Sequence, residues 1–208
     1  MLGVIVPARN EEKNIADVLE NLLKCKIPIK NIYVIDNQSS DNTSAIAETM
    51  GVKTFLCEEI GYQAALKNGL KELKKRNYQK FLIIDGDNEI GIKSIERCLV
   101  ENNSFKLIIG YRNKIKRISE RIVNRYFKYR YGIFDLMCGL KCGDISLYND
   151  ENNLEFGIDF FQFHKINQKD ICNFQIDLKE RNETRLGNAF SVNIGLLLNL
   201  IKFIIRNR

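Results

Sequence analysis

Residues 81–90 read FLIIDGDNEI, an apolar run that ends abruptly in three carboxylates at alternate positions. A short apolar run bounded by turn residues is typical of a buried strand, so Asp85, Asp87 and Glu89 are predicted to follow directly after a strand. Like charges crowded at one place repel one another, and a compensating positive charge is expected there. A bound divalent cation is the leading interpretation, and a solvated acidic cluster at the strand end is the alternative.

Outward from this strand, the chain alternates apolar runs with segments of helical periodicity. This alternation predicts an α/β fold with a mostly parallel, Rossmann-like sheet that carries helices on both faces. Ligands of such sheets bind outside the carboxyl ends of the strands. The predicted strands are 2–6, 31–36, 52–56, 80–85 and 105–110, and the predicted helices are 11–24, one from SSDNT (39–43) to about residue 50, 61–76, about 91–102 and about 115–131.

Polar and charged residues stand at the predicted strand ends, which makes this edge of the sheet the candidate site. No GxGxxG follows the first strand and no GxxxxGK[ST] is present, so neither a dinucleotide-binding site nor a P-loop is supported. A phosphate would therefore be held by a metal and by arginines. The strand-end residues are 7–11, Asp36, Asn37, 85–89 and 110–112.

Composition indicates an ordinary globular domain of 208 residues, with 45% hydrophobic and 28% charged residues. The net charge of +6 is concentrated between Arg112 and Arg130, where Glu120 is the one acid. Six cysteines without a CxxC pair and a single histidine, His164, argue against a structural zinc site and favour free thiols. Because Met1 leads directly into a strand, no signal peptide is recognised, and a cytoplasmic protein is expected. A nucleic-acid partner is not expected.

Four segments in the first half, in this order and spacing, resemble the family 2 glycosyltransferases of the GT-A fold. They read VIVPARNEEKNI (4–15), VIDNQSSDNT (34–43), IGYQAALKNGL (60–70) and LIIDGDNEI (82–90). Later segments look like the dolichol- and polyprenyl-phosphate sugar transferases, namely GYR (110–112), RISERIVNRYF (117–127), DLMCGLK (135–141) and ERNETRLG (180–187). The resemblance implies a GT-A fold and transfer of a sugar from a nucleoside diphosphate.

The resemblance also implies roles for individual residues. Asp85 and Asp87 match the family's D-x-D pair, which with Glu89 as third ligand would hold Mg2+ or Mn2+ against the donor diphosphate. Asp87, Asp135 and Arg112 would form the reaction centre. Whether Asp135 acts as a base stays open. Arg112 would clamp a phosphate bidentately, and an exposed loop arginine is the alternative. The residues implied in donor binding are Pro7, Ala8, Asn10 and Glu11 around the nucleoside, Asp36 at the base or ribose, Asp85, and Arg185 at the diphosphate.

The acceptor is a separate question, and the motifs that are missing bear on it. Transfer to a hydroxyl needs a positioned base. The chain has neither a Glu-Asp dipeptide nor any tryptophan, which the base and QxxRW motifs of processive relatives require. A phosphate monoester is already anionic at neutral pH, so it needs cations rather than a base.

Arg117, Arg121 and Arg125 recur every four residues and are predicted to form one stripe along the helix at about 115–131. Together with Asn124 they are expected to bind the acceptor phosphate, or the anionic membrane surface that presents it. Simple solvation of the helix by these arginines is the alternative. The residues expected to dock the other faces of the helix are Ile118, Ile122, Val123 and Tyr126.

The C-terminal stretch IGLLLNLIKFII (194–205) is shorter than the roughly 20 residues of a spanning helix. A catalytic domain is expected over 1–190, followed over 191–208 by an amphipathic helix that is either a core helix or a peripheral anchor at the cytoplasmic face of a membrane. A separate membrane subunit is an equal alternative.

Three functions follow from this reading. The first is a metal-dependent, inverting transfer of a hexose from a GDP- or UDP-linked sugar to polyprenyl phosphate. The second is family 2 transfer to a hydroxyl of a lipid-linked glycan or surface polysaccharide. The third is a subunit that binds a nucleotide sugar without turnover.

Overall fold

The computed structural model describes residues 1–148, 166–179 and 190–206, which form a seven-stranded sheet with helices on both faces. All five predicted strands and all five predicted helices are present, so the predicted α/β fold class is confirmed. The strands are β1 (Leu2–Ala8), β2 (Ile32–Asp36), β3 (Lys53–Leu56), β4 (Lys80–Ile83) and β5 (Leu107–Tyr111). The helices are α1 (Ile15–Lys24), α2 (Thr43–Thr49), α3 (Tyr62–Lys75), α4 (Ile92–Glu101) and α5 (Ile118–Tyr131).

Two helices begin later than predicted, because the residues before one form a turn and the residue before the other is extended. α1 begins at Ile15 because residues 11–14 form a turn, in which the Glu11 carbonyl accepts the Ile15 N–H at 2.8 Å. α5 begins at Ile118 because Arg117 has extended backbone dihedrals, φ −84° and ψ 133°. Glu11 and Arg117 therefore lie in loops at the sheet edge rather than on helices.

The sequence pattern missed two strands, β6 (Lys141–Asp144) and β7 (Ile171–Gln175). β6 pairs antiparallel with both β4 and β5, β7 pairs parallel with β5, and the sheet order is β3-β2-β1-β4-β6-β5-β7. β6 reads KCGD and has no apolar run, so its extended conformation depends on its two neighbours. Since β6 runs against them, its first residue, Lys141, lies opposite Ile83 and Ile109 at the edge where β4 and β5 end.

Alternate residues of the central strands enter two separate cores, one on each face of the sheet. In β1, Ile5 packs in the core that contains α3 and α5, whereas Val4 and Val6 pack in the core that contains α1, α2 and α4. All three side chains are fully buried, as expected for a parallel strand covered on both faces. This double burial gives the strand ends a rigid base.

The last helix, α6 (Phe190–Arg206), packs its inner face against α5. Phe203 is 2% exposed, and its ring centroid lies 5.1 Å from that of Phe127 and 6.5 Å from that of Tyr126. No helix among the described residues combines the length and the hydropathy that crossing a membrane requires. The outer face of α6 carries the exposed residues Ile194, Leu198, Ile201 and Ile205.

Candidate active site at the carboxyl edge of the sheet

The loops that follow β1 and β2 are joined by hydrogen bonds into one polar wall. Asn10 Oδ1 accepts the N–H of Ser40 at 2.8 Å, and the Glu11 N–H donates to Thr43 Oγ1 at 2.8 Å. Asn10 holds a φ of 56°, a left-handed conformation that asparagine adopts more readily than most residues. The wall brings two of the predicted donor-site residues, Asn10 and Glu11, to the edge of the sheet.

Pro7 and Ala8 are buried at the end of β1, in contact with the loop that follows β4. The Gly86 N–H donates to the Pro7 carbonyl at 3.2 Å. A Cβ on Gly86 would lie 3.1 Å from the Ala8 Cβ and 3.2 Å from the Pro7 oxygen, so this approach favours glycine. The middle residue of the DGD segment therefore holds Asp85 and Asp87 against the end of β1.

Asp36 is 6% exposed, and its own loop uses both of its carboxylate oxygens. Oδ1 accepts the Ser39 N–H at 2.9 Å, and Oδ2 accepts the Ser44 hydroxyl at 2.6 Å. The contacts of Asp36 thus organise the loop between β2 and α2. A contact between Asp36 and the base or ribose of a donor stays a prediction.

Asn37 connects this wall to the start of α3. Its Nδ2 donates to the Glu59 carbonyl at 2.8 Å, and its Oδ1 accepts the Gly61 N–H at 2.7 Å. Gly61 has a φ of 138°, which side-chain-bearing residues rarely adopt. These bonds fix the residue after Gly61, Tyr62, at the edge of the sheet.

Asp85 is half-buried between Tyr62 and the 135–141 segment. The Tyr62 hydroxyl donates to Asp85 Oδ1 at 2.7 Å, and a Cβ on Gly139 would lie 2.1 Å from Asp85 Oδ2. Burial raises the pKa of the Asp85 carboxyl, while Tyr62 and the charge of Lys141 act in the opposite direction. The sequence pattern gave no reason to select Tyr62, because a tyrosine at the start of a helix is unremarkable alone.

Asp87 and Glu89 follow Asp85, but the three carboxylates do not converge. The Glu89 N–H donates to Asp87 Oδ1 at 3.2 Å. Within 1–148, 166–179 and 190–206, no three His, Cys, Asp or Glu side chains come together as a metal site, so the predicted three-carboxylate set is not assembled. Asp85 and Asp87 still fit Mg2+ or Mn2+, because such cations commonly take one or two protein carboxylates and complete their shell with substrate phosphates and water.

Asp135 is fully buried, and Arg112 binds both of its oxygens. Arg112 Nε donates to Asp135 Oδ2 at 2.7 Å and Nη2 to Oδ1 at 3.0 Å, while Nη2 also reaches Glu120 Oε2 at 2.9 Å. Burial opposes the charged form of Asp135, but the hydrogen bonds and charge of Arg112 outweigh it and hold the pKa of this carboxyl below its ordinary value. In this structure the bidentate partner of Arg112 is therefore a carboxylate of the chain, and a contact of Arg112 with a phosphate stays a prediction.

Asn124 has a different role from the predicted acceptor contact. It is 4% exposed, and its Nδ2 donates to Asp135 Oδ1 at 3.1 Å. Its Oδ1 accepts the Leu136 N–H at 2.9 Å. Both polar atoms of the Asn124 side chain form hydrogen bonds with the loop that follows α5. Asn124 therefore positions Asp135 instead of facing an acceptor.

The predicted arginine stripe is reduced to Arg121 and Arg125, both exposed on α5. Arg117 precedes the helix, and its Nη1 donates to Glu120 Oε1 at 2.7 Å. Arg121 Nε donates to the Ile115 carbonyl at 2.8 Å, which turns its guanidinium toward the preceding loop. An open depression of about 530 Å³ is lined there by Asn113, Lys114, Ile115, Lys116 and Arg121.

The docking face of α5 also differs from the prediction. Ile118 and Ile122 are 68% and 44% exposed, so they do not dock the helix, whereas Val123 and Phe127 are fully buried. Tyr126 is partly buried against the core, as expected. Arg185 lies outside the described part of the chain, and its predicted contact with the diphosphate stays a prediction.

Lys141 is a buried charge that the sequence pattern also missed. It is 2% exposed, and its Nζ donates to the carbonyl of Cys138. Burial lowers the pKa of the Lys141 ammonium, whereas the nearby Asp85 and Asp135 act in the opposite direction. The available signal was its position at the end of the DLMCGLK match, since KCGD alone does not predict a buried strand.

Comparison with known proteins decides the family. Residues 3–126 match the protein family described as Glycosyl transferase family 2, which is more than half of the chain. This chain belongs to that family. It is a glycosyltransferase by class, and the predicted GT-A fold is confirmed by solved structures. The dolichol-phosphate mannosyltransferase-like specificity implied by the later segments stays a prediction.

Relatives show both the extent and the limit of the likeness. Protein RfbJ of Shigella flexneri is 30% identical over 115 residues, which span 54% of this chain and 86% of that protein. An uncharacterized protein of Methanocaldococcus jannaschii is 33% identical over 155 residues, 66% of this chain and 62% of that protein. Among solved structures, a complex of glucosyl-3-phosphoglycerate synthase from Mycobacterium tuberculosis with Mn2+ and UDP-glucose has a TM-score of 0.77 at 15% identity. That likeness, over 98% of this chain and 78% of the other, is one of fold.

Proposed function

We propose that this chain transfers a hexose from a GDP- or UDP-linked sugar to polyprenyl phosphate, using Mg2+ or Mn2+, with inversion at the anomeric carbon. Membership of family 2 supports sugar transfer. The solved synthase of similar fold is a complex with Mn2+ and UDP-glucose, which supports the donor class and the cation. Inversion and the lipid acceptor rest on the resemblance of the sequence motifs.

The donor would lie along the carboxyl ends of β1, β2 and β4. Asp85 and Asp87 would hold the cation, which supplies positive charge to the nucleoside diphosphate as the sugar leaves. Tyr62 holds Asp85 in place through a hydrogen bond to Oδ1. Asn10 and Glu11 border the space for the nucleoside in the wall between β1 and β2.

The state of Asp135 is the observation that carries the choice of acceptor. A hydroxyl acceptor needs a base that can take up its proton. Asp135 is fully buried, bonded on both oxygens by Arg112, and shifted to a lower pKa, which makes it a poor base. A phosphate acceptor needs no base, because with a second pKa of about 6 it is already an anionic nucleophile.

Exposed cations in the loop before α5 and along α5 suit such an acceptor. Lys114, Lys116 and Arg121 line the open depression before α5, and Arg125 follows Arg121 by one turn. Arg117 is less available, since Glu120 holds its guanidinium. The revised acceptor site therefore consists of these loop lysines with Arg121 and Arg125.

The outer face of α6 suits contact with the membrane that carries a polyprenyl chain. Its four exposed residues, Ile194, Leu198, Ile201 and Ile205, recur at helical spacing opposite the packed face. Lys202 lies on the same helix and α5 adds further exposed cations, a combination typical of helices that lie in an anionic lipid interface. We propose peripheral contact with the cytoplasmic leaflet, and a membrane subunit covering this face is the other outcome.

The test is a transfer assay with a panel of UDP- and GDP-linked sugars, Mg2+ or Mn2+, and three acceptors: polyprenyl phosphate, 3-phosphoglycerate and a polyprenyl-diphosphate-linked sugar. Transfer to polyprenyl phosphate with one donor is expected. Asp87→Ala and a chelator should each reduce the rate by at least about 100-fold, because the cation stabilises charge that develops at the leaving group. The matched control is Glu96→Ala, an exposed acid of α4, which should leave the rate unchanged.

The acceptor that is used decides between the readings. Transfer to 3-phosphoglycerate would support an acceptor that carries a phosphate group and would overturn the lipid acceptor. Transfer to the lipid-linked sugar alone would overturn the phosphate acceptor and require a base other than Asp135. Binding of the nucleotide sugar without transfer to any acceptor would favour the binding subunit.

A further inference from the structure

Lys141 places an ammonium group under the carboxyl edge of the sheet, where 2% of the residue is exposed. Taking an ammonium out of water costs several kcal/mol unless other groups compensate it. Within the described ranges, its Nζ has one hydrogen-bond acceptor, the carbonyl of Cys138. An apolar side chain of similar length would fill the same space without this cost, so packing alone does not explain a lysine here.

The charge of Lys141 acts on both carboxylates of the site. It interacts electrostatically with Asp85 and with Asp135. The strand register explains this position, because Lys141 pairs with Ile83, two residues before Asp85, and with Ile109 on the other side. Asp135 already has its own cation in Arg112, whereas Asp85 has a tyrosine hydroxyl.

A direct physical path connects Lys141 to Asp85. The ammonium holds the carbonyl of Cys138, and the next residue, Gly139, is in close contact with the Asp85 carboxylate. A Cβ at position 139 would lie 2.1 Å from Asp85 Oδ2 and 2.4 Å from its Cγ, so no other residue fits without moving the carboxylate. The position of Asp85 thus depends on where the 138–139 backbone is held.

We propose that Lys141 is a positioning residue, whose buried charge holds the Cys138–Gly139 backbone against Asp85 and so fixes this carboxylate for cation binding. The inference deepens the proposed function and rests on its metal site. It assigns no contact between Lys141 and substrate, since the ammonium is covered by protein.

The test is the affinity for Mn2+ alone, measured by electron paramagnetic resonance of the free ion, in wild type, Lys141→Met and a matched control. The control is Lys80→Met. Lys80 pairs with Asp144 on β4 and β6, at the end of these two strands opposite to Lys141. We expect Lys141→Met to weaken Mn2+ binding at least about fivefold and Lys80→Met to change it less than about twofold. The Asp87→Ala variant measures the background, which is the Mn2+ binding that does not depend on the proposed metal site.

Simple electrostatics predicts the reverse result, which makes the test decisive. Removing a positive charge near a metal site without moving its ligands would tighten Mn2+ binding. Tighter or unchanged binding in Lys141→Met therefore overturns the positioning role while leaving the proposed function intact. Absence of Asp87-dependent Mn2+ binding in wild type would instead overturn the metal site and this inference together.

A second variant covers the case in which Lys141→Met does not fold. Lys141→Gln removes the charge but keeps one N–H donor for the Cys138 carbonyl. Circular dichroism and a cooperative thermal transition establish that each variant is folded. Folded Lys141→Gln is expected to weaken Mn2+ binding, and by less than folded Lys141→Met. Binding at wild-type strength in Lys141→Gln would overturn the role of the charge.

Discussion

Asp85 and Asp135 are two carboxylates of one site with opposite electrostatics. Asp135 is fully buried, yet Arg112 binds both of its oxygens and its pKa is lowered. Asp85 is half-buried, accepts one hydrogen bond from the neutral Tyr62, and has a raised pKa. An arginine therefore binds one carboxylate directly, whereas a neutral hydroxyl is the hydrogen-bond donor to the other.

This difference separates a structural carboxylate from one that is available for chemistry. The charge of Asp135 stabilises the folded state, since its bonds to Arg112 and Asn124 hold the loop after α5. The charge of Asp85 costs stability in the metal-free protein, because burial is its dominant influence. At Asp135 the negative charge favours folding. At Asp85 the proposed cation site needs a negative charge that folding disfavours.

Asp135→Asn is the change expected to have the largest effect on stability. It removes the anion from the buried pair with Arg112, and the free energy of unfolding should fall by about 3 kcal/mol. Because the folded pKa of Asp135 lies below its unfolded value of about 3.9, the penalty is full at neutral pH and shrinks as the pH falls through the folded pKa. Urea denaturation between pH 3 and pH 7 measures it.

The control for this prediction is Arg121→Ala, which removes an exposed arginine of the neighbouring helix. Its effect should stay within about 0.5 kcal/mol. A loss in Asp135→Asn no larger than in the control, or one that does not depend on pH, would contradict the assignment of Asp135 as a structural carboxylate.

Asp85→Asn should have a smaller effect of the opposite sign. The amide keeps an acceptor for Tyr62 and removes a charge that burial disfavours, so the metal-free protein should gain about 1 kcal/mol at pH 7. Since the folded pKa of Asp85 is raised, this gain should decrease as the pH falls and the wild-type carboxyl becomes protonated. Thermal denaturation in chelator measures the gain, and destabilisation at pH 7 would remove the contrast with Asp135.

The sequence predicted most of the fold because parallel strands buried on both faces give strong local signals. β1, β2 and β4 each contain a continuous apolar run, and the helices between them have clear periodicity. β6 gave no such signal, because KCGD contains a lysine, a glycine and an aspartate. It is a strand only through pairing on both sides, which local sequence does not encode.

The sequence predicts where the candidate site lies better than it predicts the contacts within that site. The strand ends do bring Asn10, Glu11, Asp85 and Asp87 to one edge of the sheet. The partners of Arg112 and Asn124 depend on the loop after α5, which folds Asp135 back into the protein. Tyr62 and Lys141 join the site through tertiary packing alone, so no spacing rule selects them.

The most direct test of the proposed metal site is the affinity for UDP and GDP with and without Mn2+, measured by calorimetry in wild type and in Asp85→Asn. We expect Mn2+ to tighten binding of one nucleotide at least about tenfold in wild type and to have no such effect in the variant, because Asp85 would hold the cation that supplies positive charge to the diphosphate. Equal nucleotide affinity without Mn2+, or Mn2+ dependence that survives in Asp85→Asn, would contradict it.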